Sequence, residues 1–458
     1  MFQSNRCAVF AGLALASATA TAGFETFTAL PSSVPVGSLP EATPFQLSSP
    51  AFTQKTLDAN TPSLGRRGDN WDMISANETG ANAGRYLFSP YETGTAGVKR
   101  YDLSTGTSLT IVAEGTQGFV SGDASRWTPW GSYLTAEESW GTGSTKGRLF
   151  EVTNPTTTSG PATTEFVQRS IIPRVSHEGL AFDSSRNMYF VDELNGGSIY
   201  RYTSASPLAT SGNAFFAAGQ TFVLRVGTGA TFGETGAATW IAMTDVNGVA
   251  LPGTVTIGGG QLDGRATSQL APIKGTGYNR PEDLEIKTLA NGKQQLFFAA
   301  TDTHNVFSIQ LDGSINATVK TFVDRTTIDQ ATGLAVGSTF TNPDNLAIDA
   351  NGNIYLVEDQ PGGVADIWFA MDADGDGVAE SIGRWASMAT VGAEPTGLYF
   401  DKFNPNVAYV NVQHADSDVD RMIQISAIPE PETYALMLGG IGLVGFIARR
   451  RRSGNAAR

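Results

Sequence analysis

The stretch 345–370 reads Asn-Leu-Ala-Ile-Asp, a turn Ala-Asn-Gly-Asn, then Ile-Tyr-Leu-Val-Glu-Asp and, past a Gly-rich turn, Asp-Ile-Trp-Phe-Ala. Three short apolar runs bounded by Gly, Asn or Asp predict three consecutive antiparallel strands. The plan is shared by 179–203, which reads Gly-Leu-Ala-Phe-Asp, Ser-Ser-Arg-Asn, Met-Tyr-Phe-Val-Asp-Glu and Ser-Ile-Tyr-Arg-Tyr. It returns at 283–311 around Leu296-Phe297-Phe298 and at 397–427 around Val407-Ala408-Tyr409-Val410, with weaker copies at 86–112 and 123–153. Six copies of one strand unit predict an all-β chain, folded as a six-bladed β-propeller over 65–427. Residues 204–278 are Gly/Thr-rich, break the plan, and read as an insertion that could cover one mouth of the ring. Residues 23–64, rich in Ser, Thr, Pro and Ala, read as an extended N-terminal arm.

Composition narrows the chemistry. The chain has 458 residues, 41% hydrophobic and 16% charged, with a formal charge of −14. That balance disfavours nucleic acid as a partner, because phosphate backbones require a basic face. Residues 1–22 carry Arg6, an apolar stretch and Ala20-Thr21-Ala22, the pattern of a secretory signal peptide removed by signal peptidase. The single cysteine, Cys7, leaves with it, so the exported body has neither disulfide nor thiolate. Only three histidines are present, His177, His304 and His414. Any metal must therefore be held mainly by oxygen, which favours Ca²⁺ or another hard cation.

The acids stand where a ring would bring them together. In a propeller the first strand of each unit lines the channel, so polar residues just ahead of it converge on one mouth. Those positions hold Glu178, Glu282, Asp283, Asp344 and Glu394, and a strand end adds Glu137 and Glu138. Carboxylates so crowded repel one another unless a cation intervenes, so all seven are expected as metal ligands. Asp192 and Asp359, also at strand ends, read as turn residues. Two roles are open to Arg280 in Asn279-Arg280-Pro281-Glu282-Asp283: salt-bridge partner of these acids, or a fork of donors for phosphate or carboxylate. Elsewhere Asp372, Asp374 and Asp376 follow a calcium-loop spacing, but Gly383 stands where a bidentate Glu is needed, so this is at most a separate, incomplete Ca²⁺ loop.

Two resemblances follow. Residues 428–452 run from Pro429-Glu430-Pro431 through an apolar helix to Arg449-Arg450-Arg451-Arg452, which resembles the PEP-CTERM sorting signal of Gram-negative bacteria. It implies a transient transmembrane anchor, processing by an exosortase and delivery to the outer surface or extracellular matrix. The second is carried by Leu134-Thr135-Ala136-Glu137-Glu138-Ser139, His177-Glu178, Arg280-Pro281-Glu282-Asp283, Pro343-Asp344-Asn345, Glu394-Pro395-Thr396-Gly397 and Val410-Asn411-Val412-Gln413-His414. Together, in this order, they resemble the PhoX-type alkaline phosphatases. The resemblance implies a six-bladed propeller holding iron and calcium, hydrolysing phosphate monoesters. Glu178 and Glu282 would be metal ligands, with Asp344 and Glu394 added, and Arg280 would bind the transferred phosphoryl group as the catalytic residue. One position departs: Ala136 replaces the family's cysteine, an iron ligand. The expectation is therefore a metal-dependent phosphatase that uses Ca²⁺ rather than Fe, or else a non-catalytic, calcium-stabilised propeller of the cell surface or biofilm matrix.

Overall fold

A computed structural model describes residues 23–60, 69–360 and 363–428. The expected signal peptide and the apolar helix and Arg cluster expected after Pro429 lie outside these residues. No helix among the described residues is long and apolar enough to cross a membrane.

The chain is all-β and propeller-like. One four-stranded sheet is built from Ser75–Ala76, Tyr86–Pro90, Val98–Asp102 and Thr107–Val112, and the next from Gly122–Trp127, Tyr133–Glu137, Leu149–Val152 and Phe166–Gln168. Further along, Pro343–Ile348, Ile354–Glu358, Ala365–Met371 and Ser381–Met388 form a third such unit, and Glu394–Phe400, Val407–Gln413 and Arg421–Ala427 most of a fourth. Between these lies not a pair of separate blades but one nine-stranded sheet. In it the units 180–226 and 281–323 are joined through Gly236–Ala242, whose edges pair with Gly219–Val226 and with Asn316–Val323.

Two sequence expectations change here. The segment 204–278 is not wholly an insertion: Gly219–Val226 is the outer strand of its own unit, and Gly236–Ala242 bridges to the next. Their buried positions include Gly219, Thr221 and Ala238, too small or too polar to mark an apolar pattern. The expected extended arm is also tied into the sheets over part of its length. Phe52–Ala59 pairs along its length with Arg421–Ala427, and Phe45–Leu47 pairs with Ser381–Met388.

Between successive units lie six clusters of buried apolar side chains among the described residues. The cluster with Phe52, Tyr355, Trp385 and Phe400 is rich in aromatics, and one with Trp71, Tyr101 and Tyr409 joins the last unit to the first. Each large side chain so buried is worth about 1.5–3 kcal/mol of transfer free energy.

Candidate metal centre

One local device, repeated around the ring, builds the mouth. Gly122 pairs with Glu137 and Ser125 with Thr135, so three steps on the inner strand face two on its neighbour. Pro281 with Ala300 and Leu284 with Phe298 repeat this, as do Pro343 with Glu358 and Leu346 with Leu356. The extra residue is a β-bulge, which re-aims the side chain at that point. Asp123, Glu282 and Asp344 occupy it. Just ahead, Ser121, Arg280 and Asn342 are left-handed, with φ of 39°, 52° and 42°. That conformation is costly for residues other than Gly, and here a hydrogen bond offsets it. Their carbonyls accept from the backbone N–H of Glu138, Thr301 and Asp359 at 2.9, 3.0 and 2.9 Å. Asn70 and Ser176 accept likewise from Glu92 and Glu193, at 2.9 and 3.0 Å. Each unit thus presents two neighbouring side chains: Asp72 with Glu92, Asp123 with Glu138, Glu178 with Glu193, Glu282 with Thr301, Asp344 with Asp359, Glu394 with His414.

Eleven of these twelve, joined by Arg280 and Gln413, line a single pocket of about 190 Å³. Ten carboxylates there face one guanidinium and one imidazole. Oxygens of Glu178, Glu193 and Glu282 come within 4.8 Å of one another, as do ligand atoms of Glu92, Glu394 and His414. Arg280 lies among them, with Nη2 3.0 Å from Glu193, 3.1 Å from Glu282 and 3.7 Å from Asp359. Its Nε is buried without a hydrogen-bond partner, and its guanidinium centre lies 5.4 Å from the Trp140 ring.

Electrostatics follow from this crowding. Burial, then the adjacent Glu92, pushes Asp72 up to about 8. Burial lifts Glu282 to about 8 against the opposing pull of Arg280. Asp123, Glu178, Glu193, Asp344 and Glu394 are raised well above the carboxylate range, by burial first and a neighbouring carboxylate second or third. Burial is the largest single influence and alone would lower Arg280 and His414, but the carboxylates around each together outweigh it, Glu282, Glu193, Asp344 and Asp359 for the first and Glu92, Asp72 and Asp420 for the second, so both are raised. The pH dependence has a definite sign. A carboxyl raised from about 4 to about 8 on folding binds its proton more tightly in the native state, so stability is full below about pH 4 and falls as pH rises towards 8. The cation-free protein is expected to show this falling denaturation midpoint, and a divalent cation to flatten it. A midpoint rising over that range without cation would contradict the crowding.

The structure sorts the sequence candidates. Glu138, Glu178, Glu282, Asp344, Glu394 and Arg280 meet in the mouth. Glu137 does not: it lies one residue away on an alternating strand, buried in an ion pair with Arg148, whose Nε stands 2.8 Å from Oε2. Asp283 does not either, since its carboxylate accepts from the backbone N–H of Leu284 and Leu346 at 2.7 and 3.0 Å. Asp372 and Asp374 cluster with Glu380 rather than with Asp376, which pairs with Lys320 at 3.1 Å. Asp359, read as a turn residue, lines the mouth, while Asp192 binds the Ser176 N–H at 3.0 Å. Asp72, Glu92 and Asp123 were missed. Asp123 was legible, being the acid ahead of its strand at the position Glu282 holds; Asp72 was not, because its inner strand is only Ser75–Ala76.

The pair Glu137 and Glu138 offers a direct check. Glu137→Gln leaves a buried guanidinium short of its partner and should cost about 3 kcal/mol of stability with little change in cation binding. Glu138→Gln should do the reverse. Calorimetric melting and a Ca²⁺ titration of both variants read the two effects.

The family described as alkaline phosphatase PhoX matches residues 115–416, and the PEP-CTERM protein-sorting motif matches 427–452. No curated protein matches the chain. Among solved structures, Pseudomonas fluorescens PhoX in complex with vanadate, a transition state analogue, superposes with a TM-score of 0.63 at 15% identity, over 88% of this chain and 98% of that one. At that identity the likeness speaks for the fold. The Pseudomonas aeruginosa periplasmic gluconolactonase PpgL is more distant, with a TM-score of 0.39 at 12% identity over 78% of this chain and 85% of the other. A family match across about two thirds of the residues, on a propeller-like ring whose mouth gathers acids around one arginine, leads to one assignment: the chain belongs to the alkaline phosphatase PhoX family.

Proposed function

We propose that this protein is a secreted, metal-dependent phosphomonoesterase whose active site is the acidic mouth. The observation that carries the reading is Arg280, a guanidinium with a free Nε set among ten carboxylates in a chain of this family. The residues fit hard cations: buried carboxylates far outnumber their countercharges, and two groups of three have ligand atoms close enough to share an ion. Glu178, Glu193 and Glu282 would hold one such ion, and Glu92, Glu394 and His414 another. Bound cations supply positive charge that polarises phosphoryl oxygens. The chain's own part is positioning. Arg280, aimed by the left-handed turn before Pro281 and braced by Glu193 and Glu282, would take the phosphoryl oxygens and stabilise the charge that develops on them. His414 must shed its raised proton to ligate, so cation affinity rises with pH.

Calcium is preferred to iron. The mouth offers oxygen donors and one imidazole, while Ala136, at the family's cysteine position, is packed in an apolar cluster with Leu134, Leu149 and Leu180. The same fact favours a second reading, a calcium-stabilised surface protein without turnover. The six apolar interfaces support counting the nine-stranded sheet as two fused blades, six in all. The PEP-CTERM motif supports export, exosortase processing and an outer-surface or matrix location. Turnover of a chromogenic phosphate monoester, abolished by chelator and restored by Ca²⁺, tests the first reading; calcium-dependent melting without turnover would leave the second.

A further inference from the structure

The mouth has no apolar lining, yet one large aromatic stands at its rim. Trp140 is 39% exposed, although it sits between two members of the site. Its indole N–H donates to the Glu138 carboxylate, and its ring lies 5.4 Å from the Arg280 guanidinium. The loop that carries it is firmly held. The Ser139 N–H donates to Ser176 Oγ at 2.9 Å, and Arg265 donates to the carbonyls of Ser139 and Ser144 at 2.8 and 2.7 Å. Gly143 N–H donates to Asp263 Oδ2 at 2.8 Å, and Asp263 and Arg265 form a fully buried ion pair at 3.0 Å. A buried pair costs desolvation that its own attraction barely repays. Here both partners face the 139–144 loop, so the short helix Gly264–Thr267 acts as its buttress.

We propose that Trp140 is the platform for the organic part of the substrate, so that the preferred esters carry a planar aromatic ring next to the phosphate. This rests on the phosphomonoesterase reading. With the phosphoryl group on Arg280, the part-exposed indole of Trp140 is an aromatic surface directly beside it. Stacking on it rewards aromatic leaving groups and gives nothing to small aliphatic ones. It also gives part of 204–278 a role, since Asp263 and Arg265 prop the platform.

The test is binding of phenylphosphonate and methylphosphonate to the Ca²⁺-supplemented full-length protein, by calorimetry, alongside kcat/KM for a phenyl-bearing benzyl phosphate and for ethyl phosphate, whose departing alcohols are of similar acidity. Wild type should favour the phenyl compound by about tenfold in both measurements. In Trp140→Ala the ratio should fall towards one, and Trp140→Phe should restore most of it. A ratio that survives in Trp140→Ala, or equal losses for both ligands, overturns the proposal and leaves Trp140 as a brace for Arg280. Failure of both phosphonates to bind overturns it as well. Phenyl preference in binding without hydrolysis of either ester keeps the platform and sinks the catalytic reading alone.

Discussion

Replacing Arg280 by alanine should lower kcat for a phosphate monoester by about 10²–10³-fold, the loss typical of removing one preorganised charge donor from a transition state. The residue is braced by two carboxylates and its Nε is unclaimed, so the loss should fall on kcat more than on KM. Arg280→Lys should recover little, because an ammonium cannot reproduce the planar fork. Removing the guanidinium also leaves Glu193 and Glu282 with one countercharge fewer, so Ca²⁺ should bind the alanine variant at least as tightly as wild type. Steady-state kinetics on protein of verified metal content measures this. An alanine variant with near wild-type kcat and full metal occupancy would sink the assignment.

Chelation is expected to have the largest effect on stability. Five mouth carboxylates are held well above their ordinary range and two more at about 8, all by burial among like charges. A ligand that binds only the folded protein at a thousand times its Kd adds about 4 kcal/mol. For a domain of this size that is about 5 °C in Tm. Ca²⁺-loaded protein should therefore melt about 5 °C above protein in chelator, and the gap should widen from pH 5 to pH 8. A Tm indifferent to chelator would mean that the mouth holds no structural cation.

Much of the site was legible because its chemistry is unusual for its local setting. Glu178, Glu282 and Asp344 stand at the head of strands where a tight turn would choose Gly or Asn, and each lies next to a recognisable repeat. What stayed hidden depends on single-residue geometry. Glu137 and Glu138 are chemically identical neighbours, and only the alternation of their strand sends one to Arg148 and the other to the mouth. Asp283 and Glu282 divide the same way across a bulge. Gly236–Ala242 and Phe52–Ala59 were unreadable as strands for a different reason: they close the structure through partners far away in sequence, and local periodicity carries no trace of that.

Those distant pairings fix a direction. In the last sheet Glu394 pairs with Gln413 at the mouth, whereas Ser426 pairs with Val407 and Ala427 with Phe52 at the opposite end. The chain therefore runs into its sorting motif from the face away from the acidic ring. Any attachment made through that motif would begin on the face opposite the charged basin and leave the basin uncovered.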